Sequence, residues 1–177
     1  MAVIKGPDGQ VAGVDDENRL KVFSVRLHEE KDRNVSNGVW SVYFTVTPTG
    51  TDDKFFYLKN TGTKDLFITD IRISSSVVTK IFYKHVTGTA SAGTDSAITS
   101  RNLGNSSVPN ATIQHSVDFT GLTDAGVVFL EECSIADTVF HLKTTSNIIV
   151  PQGQAVAFER TAATGLIEAV VSVIEAE

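Results

Sequence analysis

The sequence predicts an all-β fold: an antiparallel β-sandwich, jelly-roll-like, preceded by an extended N-terminal arm. Three observations point there. The apolar residues are weighted toward side chains branched at Cβ, with 22 Val and 12 Ile against 9 Leu and 1 Met. Such residues lose χ1 freedom in a helix and pack well on a pleated surface. Several stretches alternate apolar and polar residues with period two, as a half-buried strand requires. Turn signals built from Gly, Pro, Asn and Asp separate these stretches at spacings of about ten residues, which is the punctuation of a sandwich.

Residues 1–18 carry glycines, one proline, scattered valines and the acidic cluster Asp15-Asp16-Glu17, with no sustained period. They read as an extended arm suited to lying in a groove or adding a strand to a neighbour's sheet edge. Its apolar side chains, Val3, Ile4, Val11 and Val14, are interface candidates. The sandwich domain is expected to span 19–177. Its first strand is Leu20-Lys21-Val22-Phe23-Ser24-Val25-Arg26-Leu27, and residues 29–38 form a solvated loop.

Trp40, Val42, Phe44 and Val46 then alternate with Ser41, Tyr43, Thr45 and Thr47, a core strand that Pro48 ends because proline has no amide hydrogen to give a ladder. Residues 55–73 read as a β-hairpin about the turn Asn60-Thr61-Gly62-Thr63, where Asn and Gly suit positive φ. Its first strand has two apolar faces, Phe56 with Leu58 and Phe55 with Tyr57. A one-sided sheet needs one such face, so Phe55 and Tyr57 are interface candidates, to be covered by a neighbouring subunit or by the arm.

Further strands are expected at 77–86, 112–119, 127–131, 138–143, 148–159 and 166–174. Between the last of the 148–150 run and Ala155, Pro151-Gln152-Gly153-Gln154 makes a sandwich corner. The segment 87–111, rich in Ser, Thr, Gly and Asn, is too long for a plain connection, so it hides short strands or serves a purpose of its own.

A net charge of −6 without a basic run disfavours nucleic acid. No apolar stretch approaches the roughly 18 residues of a membrane span, and the start has no signal-peptide pattern, so a soluble protein made in a cytoplasm is expected. The one cysteine, Cys133, reads as a buried small apolar residue. His28, His85, His115 and His141 lack metal-ligand spacing, and no metal or other cofactor is expected. His115 and Ser116 are adjacent on a strand and so point to opposite faces, which rules them out as a nucleophile and its base. Nucleotide loops and the Gly-x-Ser-x-Gly elbow are absent from the sequence. Asp52-Asp53 fits a solvated turn and Glu131-Glu132 a strand end. Asp15-x-Glu17-Asn18 has oxygen ligands but lacks the Gly and terminal Glu of a calcium loop.

Gly6-Pro7-Asp8-Gly9, the run from Val14 to Val22, Phe56-Tyr57-Leu58-Lys59-Asn60-Thr61-Gly62, Arg101-Asn102-Leu103-Gly104-Asn105-Ser106 and Val150-Pro151-Gln152-Gly153-Gln154 together give the chain a character. It resembles small structural proteins of tailed-phage virions, in particular head decoration or cement proteins. The resemblance implies a non-enzymatic sandwich on the outside of a capsid, assembled in the host cytoplasm. It also implies a homo-oligomer, a trimer in many such proteins, bound to the major capsid protein. Within these motifs Asn102 and Leu103 are interface candidates. Competing readings are a carbohydrate-binding or adhesin-type module of a fibre or tail, and an enzyme such as a glycosidase or a cupin-like oxygenase.

Overall fold

The computed structural model describes residues 3–5, 11–14, 20–22, 38–104, 106–133, 135–162 and 164–176, with the backbone alone described for 3–5, 11–14, 20–22, 131–133 and 141–147. The chain divides into two compact units, residues 1–32 and 33–177. In the first, β1 (Val3–Lys5), β2 (Val11–Val14) and β3 (Leu20–Val22) form a three-stranded antiparallel sheet in that order. Val3 lies opposite Gly13, and Val14 opposite Leu20. This corrects one expectation: Leu20–Val22, expected to open the sandwich, pairs with β2. The physical reason is that extended segments carry unpaired N–H and C=O groups, which short β-branched runs satisfy by pairing with each other. Of the expected arm at 1–18, 3–5 and 11–14 are described and pair with each other, while residues 23–37, which take in the rest of the expected first strand and most of the expected loop at 29–38, lie outside the described residues.

Among the described residues the second unit holds eleven strands. They are β4 (Val39–Val46), β5 (Lys54–Asn60), β6 (Leu66–Ser75), β7 (Thr79–Gly88), β8 (Thr94–Asp95), β9 (Ala97–Ser100), β10 (Ala111–His115), β11 (Leu122–Cys133), β12 (Thr138–Val150), β13 (Ala155–Arg160) and β14 (Ile167–Glu175). One sheet runs β12-β6-β14-β4-β9 and the other β11-β7-β13-β5-β10-β8. Four antiparallel pairs are nested along the chain: β4 with β14, β5 with β13, β6 with β12 and β7 with β11. The long ribbon they make is rolled so that β14 also pairs β6 and β13 also pairs β7. That is the jelly-roll arrangement. Strands β8, β9 and β10 are the short strands hidden in 87–111, and they extend both sheets at the side away from β11 and β12. The expected strand at 138–143 and the run at 148–150 are one strand, β12, with a register shift between Lys143 and Ile148.

Between the sheets the core is aromatic at its centre. Phe44 stacks on Phe56 with centroids 4.9 Å apart, and Phe158 meets Tyr83 edge-on at 4.6 Å. Trp40, Val42, Phe44 and Val46 are buried and Tyr43 is exposed, as alternation on β4 requires.

The expected hairpin at 55–73 is corrected. β5 and β6 lie in different sheets and do not pair, so residues 61–65 are a crossover. Gly62 takes no positive φ. It is small because an added Cβ would meet the Asn110 Cβ at 2.9 Å. Asn60 is fully buried and ties this crossover to the Pro151 corner, which also passes between sheets. Its Nδ2 donates to the carbonyls of Lys64 and Val150 at 2.8 and 2.9 Å, and its carbonyl accepts from Gly153 N at 2.9 Å. Gly153, at φ +77°, permits that corner.

A further correction concerns Phe55 and Tyr57, which are both buried within this one chain. A register shift where β13 passes β5 sets Phe158 opposite Phe56 and Glu159 opposite Lys54, leaving Phe55 as the extra residue of a bulge. Strict alternation fails there, and Phe55 joins Phe56 in the inter-sheet core, 6.3 Å from both Phe44 and Phe158. Tyr57 stays on the other face, in a small cluster with Val86, Phe119, Ala155 and Ala157. Its cover comes from the chain itself. Segments 89–93 and 116–121 form a strap over it, joined by Ser91 N to Thr120 O at 2.9 Å and anchored by Phe119 N to Lys54 O at 2.8 Å.

Candidate interaction surface

Four adjacent strands of the second sheet each contribute one charge. In sheet order these are Asp124 on β11, Lys84 on β7, Glu159 on β13 and Lys54 on β5. Lys84 Nζ lies 2.7 Å from Asp124 and Lys54 Nζ 2.8 Å from Glu159, while Lys84 also reaches Glu159 and Lys54 reaches Asp124 at 3.2 Å. Glu159 is buried between the two lysines. Burial alone would lower both lysines, but their bonds to the carboxylates outweigh it and hold them above their ordinary value. Burial would likewise raise Asp124, and the lysines instead hold it below the usual carboxylate range. Amines kept as ammonium and a carboxyl kept ionised make a clamp and not a proton shuttle.

The clamp pins β11, an edge strand whose Val127, Val128, Phe129 and Leu130 are 40–57% exposed. Four consecutive exposed apolar residues on a strand went unread in the sequence, although the run itself signals a strand without one covered face. Register shifts follow Asp124 and Val127. Bulges of this kind turn an edge away from strand addition. The run is bracketed in sequence by Asp124 and by Glu131-Glu132.

On the opposite side, residues 101–108 follow the edge strand β9. The Arg101 guanidinium donates to the hydroxyls of Ser41, at 3.2 Å, and Ser172. Arg101 N donates to Val39 O at 3.0 Å. Asn102 Oδ1 accepts from Gly104 N at 3.2 Å, and buried Trp40 donates from Nε1 to Ser107 O at 2.9 Å. A loop pinned at both ends thus displays Leu103, which is 89% exposed. Beside it lies a groove of about 270 Å³ that Leu103 lines with Ile98, Thr99, Ser100, Ser107 and Val108.

Of the expected interface residues, Leu103 is therefore at the surface with Asn102 shaping its turn, whereas Phe55 and Tyr57 are interior. Val3, Ile4, Val11 and Val14 belong to the N-terminal sheet, and their side chains lie outside the described set, as do those of Cys133, Glu131, Glu132, His141, His28 and the Asp15-x-Glu17-Asn18 run. Among the described residues no group of three or more His, Cys, Asp or Glu is placed to hold a metal. Asp53 Oδ2 accepts from Gly50 N at 2.6 Å and Thr49 N at 2.9 Å, and Asp52 takes φ 63°, so this pair shapes a turn. His85 Nε2 lies 2.9 Å from Gln154 Oε1.

Ser116 turns away from His115 and donates to Asp118 O. His115 instead meets buried Ser96, Nδ1 to Oγ at 3.2 Å, and stacks on Phe44 at 5.8 Å, and burial holds its imidazole below the ordinary value. Among the described residues the ring's hydrogen-bond partner is Ser96, so the pair lacks the third group that orients a catalytic base. No protein-family model matches the chain, nor does any curated protein or any solved structure.

Proposed function

We propose that this chain is a non-enzymatic structural protein of a tailed-phage virion, a decoration or cement protein that binds the outside of the head and reinforces it. In this reading it works as a homo-oligomer, in the trimeric form that the resemblance implies, assembled in the host cytoplasm on the major capsid protein. Jelly rolls build viral shells, lectins and cupins alike, so the fold alone does not choose among them. The observation that carries the reading is Leu103, an apolar side chain held out to solvent by a loop that hydrogen bonds pin at both ends. A pre-organised apolar anchor loses little entropy on docking, which is how an interface residue gains affinity. Several such chains bound together then rebind a lattice far faster than one.

Immunogold labelling of purified phage particles with an antibody to the chain tests this. Gold on the heads is the expected result; particles without label contradict it. A second reading, a carbohydrate-binding or adhesin module of a fibre or tail, is favoured by the exposed Tyr43 ring and by the hydroxyl-bearing residues Thr99, Ser106 and Ser107 that line the groove. Gold on tail tips, with binding of the purified chain to a glycan array, would support that one.

A further inference from the structure

We infer that the N-terminal sheet is the contact through which copies of this chain associate, its apolar face packed against the same face of neighbouring copies. This contact rests on the reading of the chain as a homo-oligomer and names its surface, apart from the Leu103 loop that meets the shell. The register of the three strands sorts their residues by face, because directly opposed residues share a side and successive ones alternate. Ile4 and Val22 lie opposite Ala12, and two positions along Val14 lies opposite Leu20. One face therefore carries Ile4, Ala12, Val14, Leu20 and Val22, all of them apolar. The other carries Val3, Lys5, Val11, Gly13 and Lys21.

A sheet that is apolar on one whole face must bury that face against another element. Units below about 40 residues do so with the help of disulfides, a metal or association. Residues 1–32 hold no cysteine and a single histidine, His28, so neither a disulfide nor a Cys and His zinc site can be drawn from them. Association is the device that remains. A second copy suits this face as occupant, because a homo-oligomer needs a patch that meets its own copies without opposing like charges. Lys5 and Lys21 lie on the other face, and Asp8, Asp15, Asp16 and Glu17 fall between the strands in sequence. Packing by the other face would set the lysines of neighbouring copies together. Nor does β11 supply such a patch, being bulged and set between Asp124 and Glu131-Glu132 in sequence. About a three-fold axis, three copies of the apolar face close on one another, which matches the trimer of the functional reading.

Sedimentation equilibrium of the full chain at rising concentration tests the contact, with Val14→Glu and Leu20→Glu on the apolar face set against Val3→Glu and Val11→Glu on the other. Each variant adds the same charge, so a general repulsion between copies would weaken all of them alike. Fluorescence of Trp40, the single tryptophan and buried in the sandwich, reports that the second unit stays folded. The natural chain is expected to form trimers. Val14→Glu and Leu20→Glu are expected to associate about a hundredfold more weakly, because each would bury an unpaired carboxylate. Val3→Glu, and Val11→Glu opposite Lys5, are expected to stay within about threefold of the natural chain. Apolar-face variants that associate as the natural chain does, or equal losses on the two faces, overturn the contact while leaving the structural reading in place. A natural chain that stays monomeric at every concentration overturns the contact and the homo-oligomer with it; gold on the heads would then uphold a decoration protein that binds singly.

Discussion

The β11 edge and the Leu103 loop both expose apolar side chains, and they are held by different physics. β11 is clamped by charges, Asp124 to Lys84 to Glu159 to Lys54 across four strands. The Leu103 loop is pinned by neutral acceptors, with Trp40 on a backbone carbonyl and Arg101 on two hydroxyls. The first is bulged and lies between acidic residues in sequence; the second carries a groove. An exposed apolar run is therefore not by itself a docking surface. What distinguishes the two is whether the neighbouring backbone and charges admit a partner.

The comparison can be broken most forcefully at Glu159. Glu159→Ala leaves two lysines without their shared buried carboxylate, and breaking such a pair costs about 3 kcal/mol. Chemical denaturation should show that loss, with head binding through Leu103 unchanged in the folded fraction. Trp40→Phe removes the donor to Ser107 and part of a buried ring. A loss of about 1–2 kcal/mol is expected, together with faster amide exchange at 103–108 and weaker binding to heads.

Acid should separate the regions next. Asp124 is ionised more readily in the fold than in the unfolded chain, whose value is near 3.8. Its contribution is complete above about pH 4 and is lost as pH falls through the lowered folded value. The raised lysines contribute fully below 10.5 and lose that contribution as pH rises through their folded values. Amide exchange on β11 should therefore quicken, relative to the intrinsic rate, below about pH 4 while that of the Leu103 loop does not. The smallest effect is expected from Val128→Lys, which should leave stability within about 0.5 kcal/mol and head binding unchanged.

Much of this architecture was legible in the sequence. Period-two alternation located β4, β7 and β14 to within a few residues, because one face of each is buried. Alternation does not say which sheet a strand joins. Phe56 with Leu58 and Leu66 with Ile68 give the same pattern whether they pair in a hairpin or face each other across a core, so the crossover at 61–65 read as a hairpin turn. Phe55 was misplaced for a related reason, since the bulge that turns it inward depends on β13, about a hundred residues further on in the chain. Leu103 stood out through its motif; its groove, built by Ile98 and Val108 from both sides of the loop, did not. The clamp was unreadable, because Lys54, Lys84, Asp124 and Glu159 are brought together only by the sheet order.

Hydrogen–deuterium exchange of the natural chain, free against bound to purified capsids, puts the two regions to the test in one measurement. Protection gained on binding at 98–108, with 124–133 unchanged, is the predicted result. Protection that appears on β11 and not at Leu103 would contradict it.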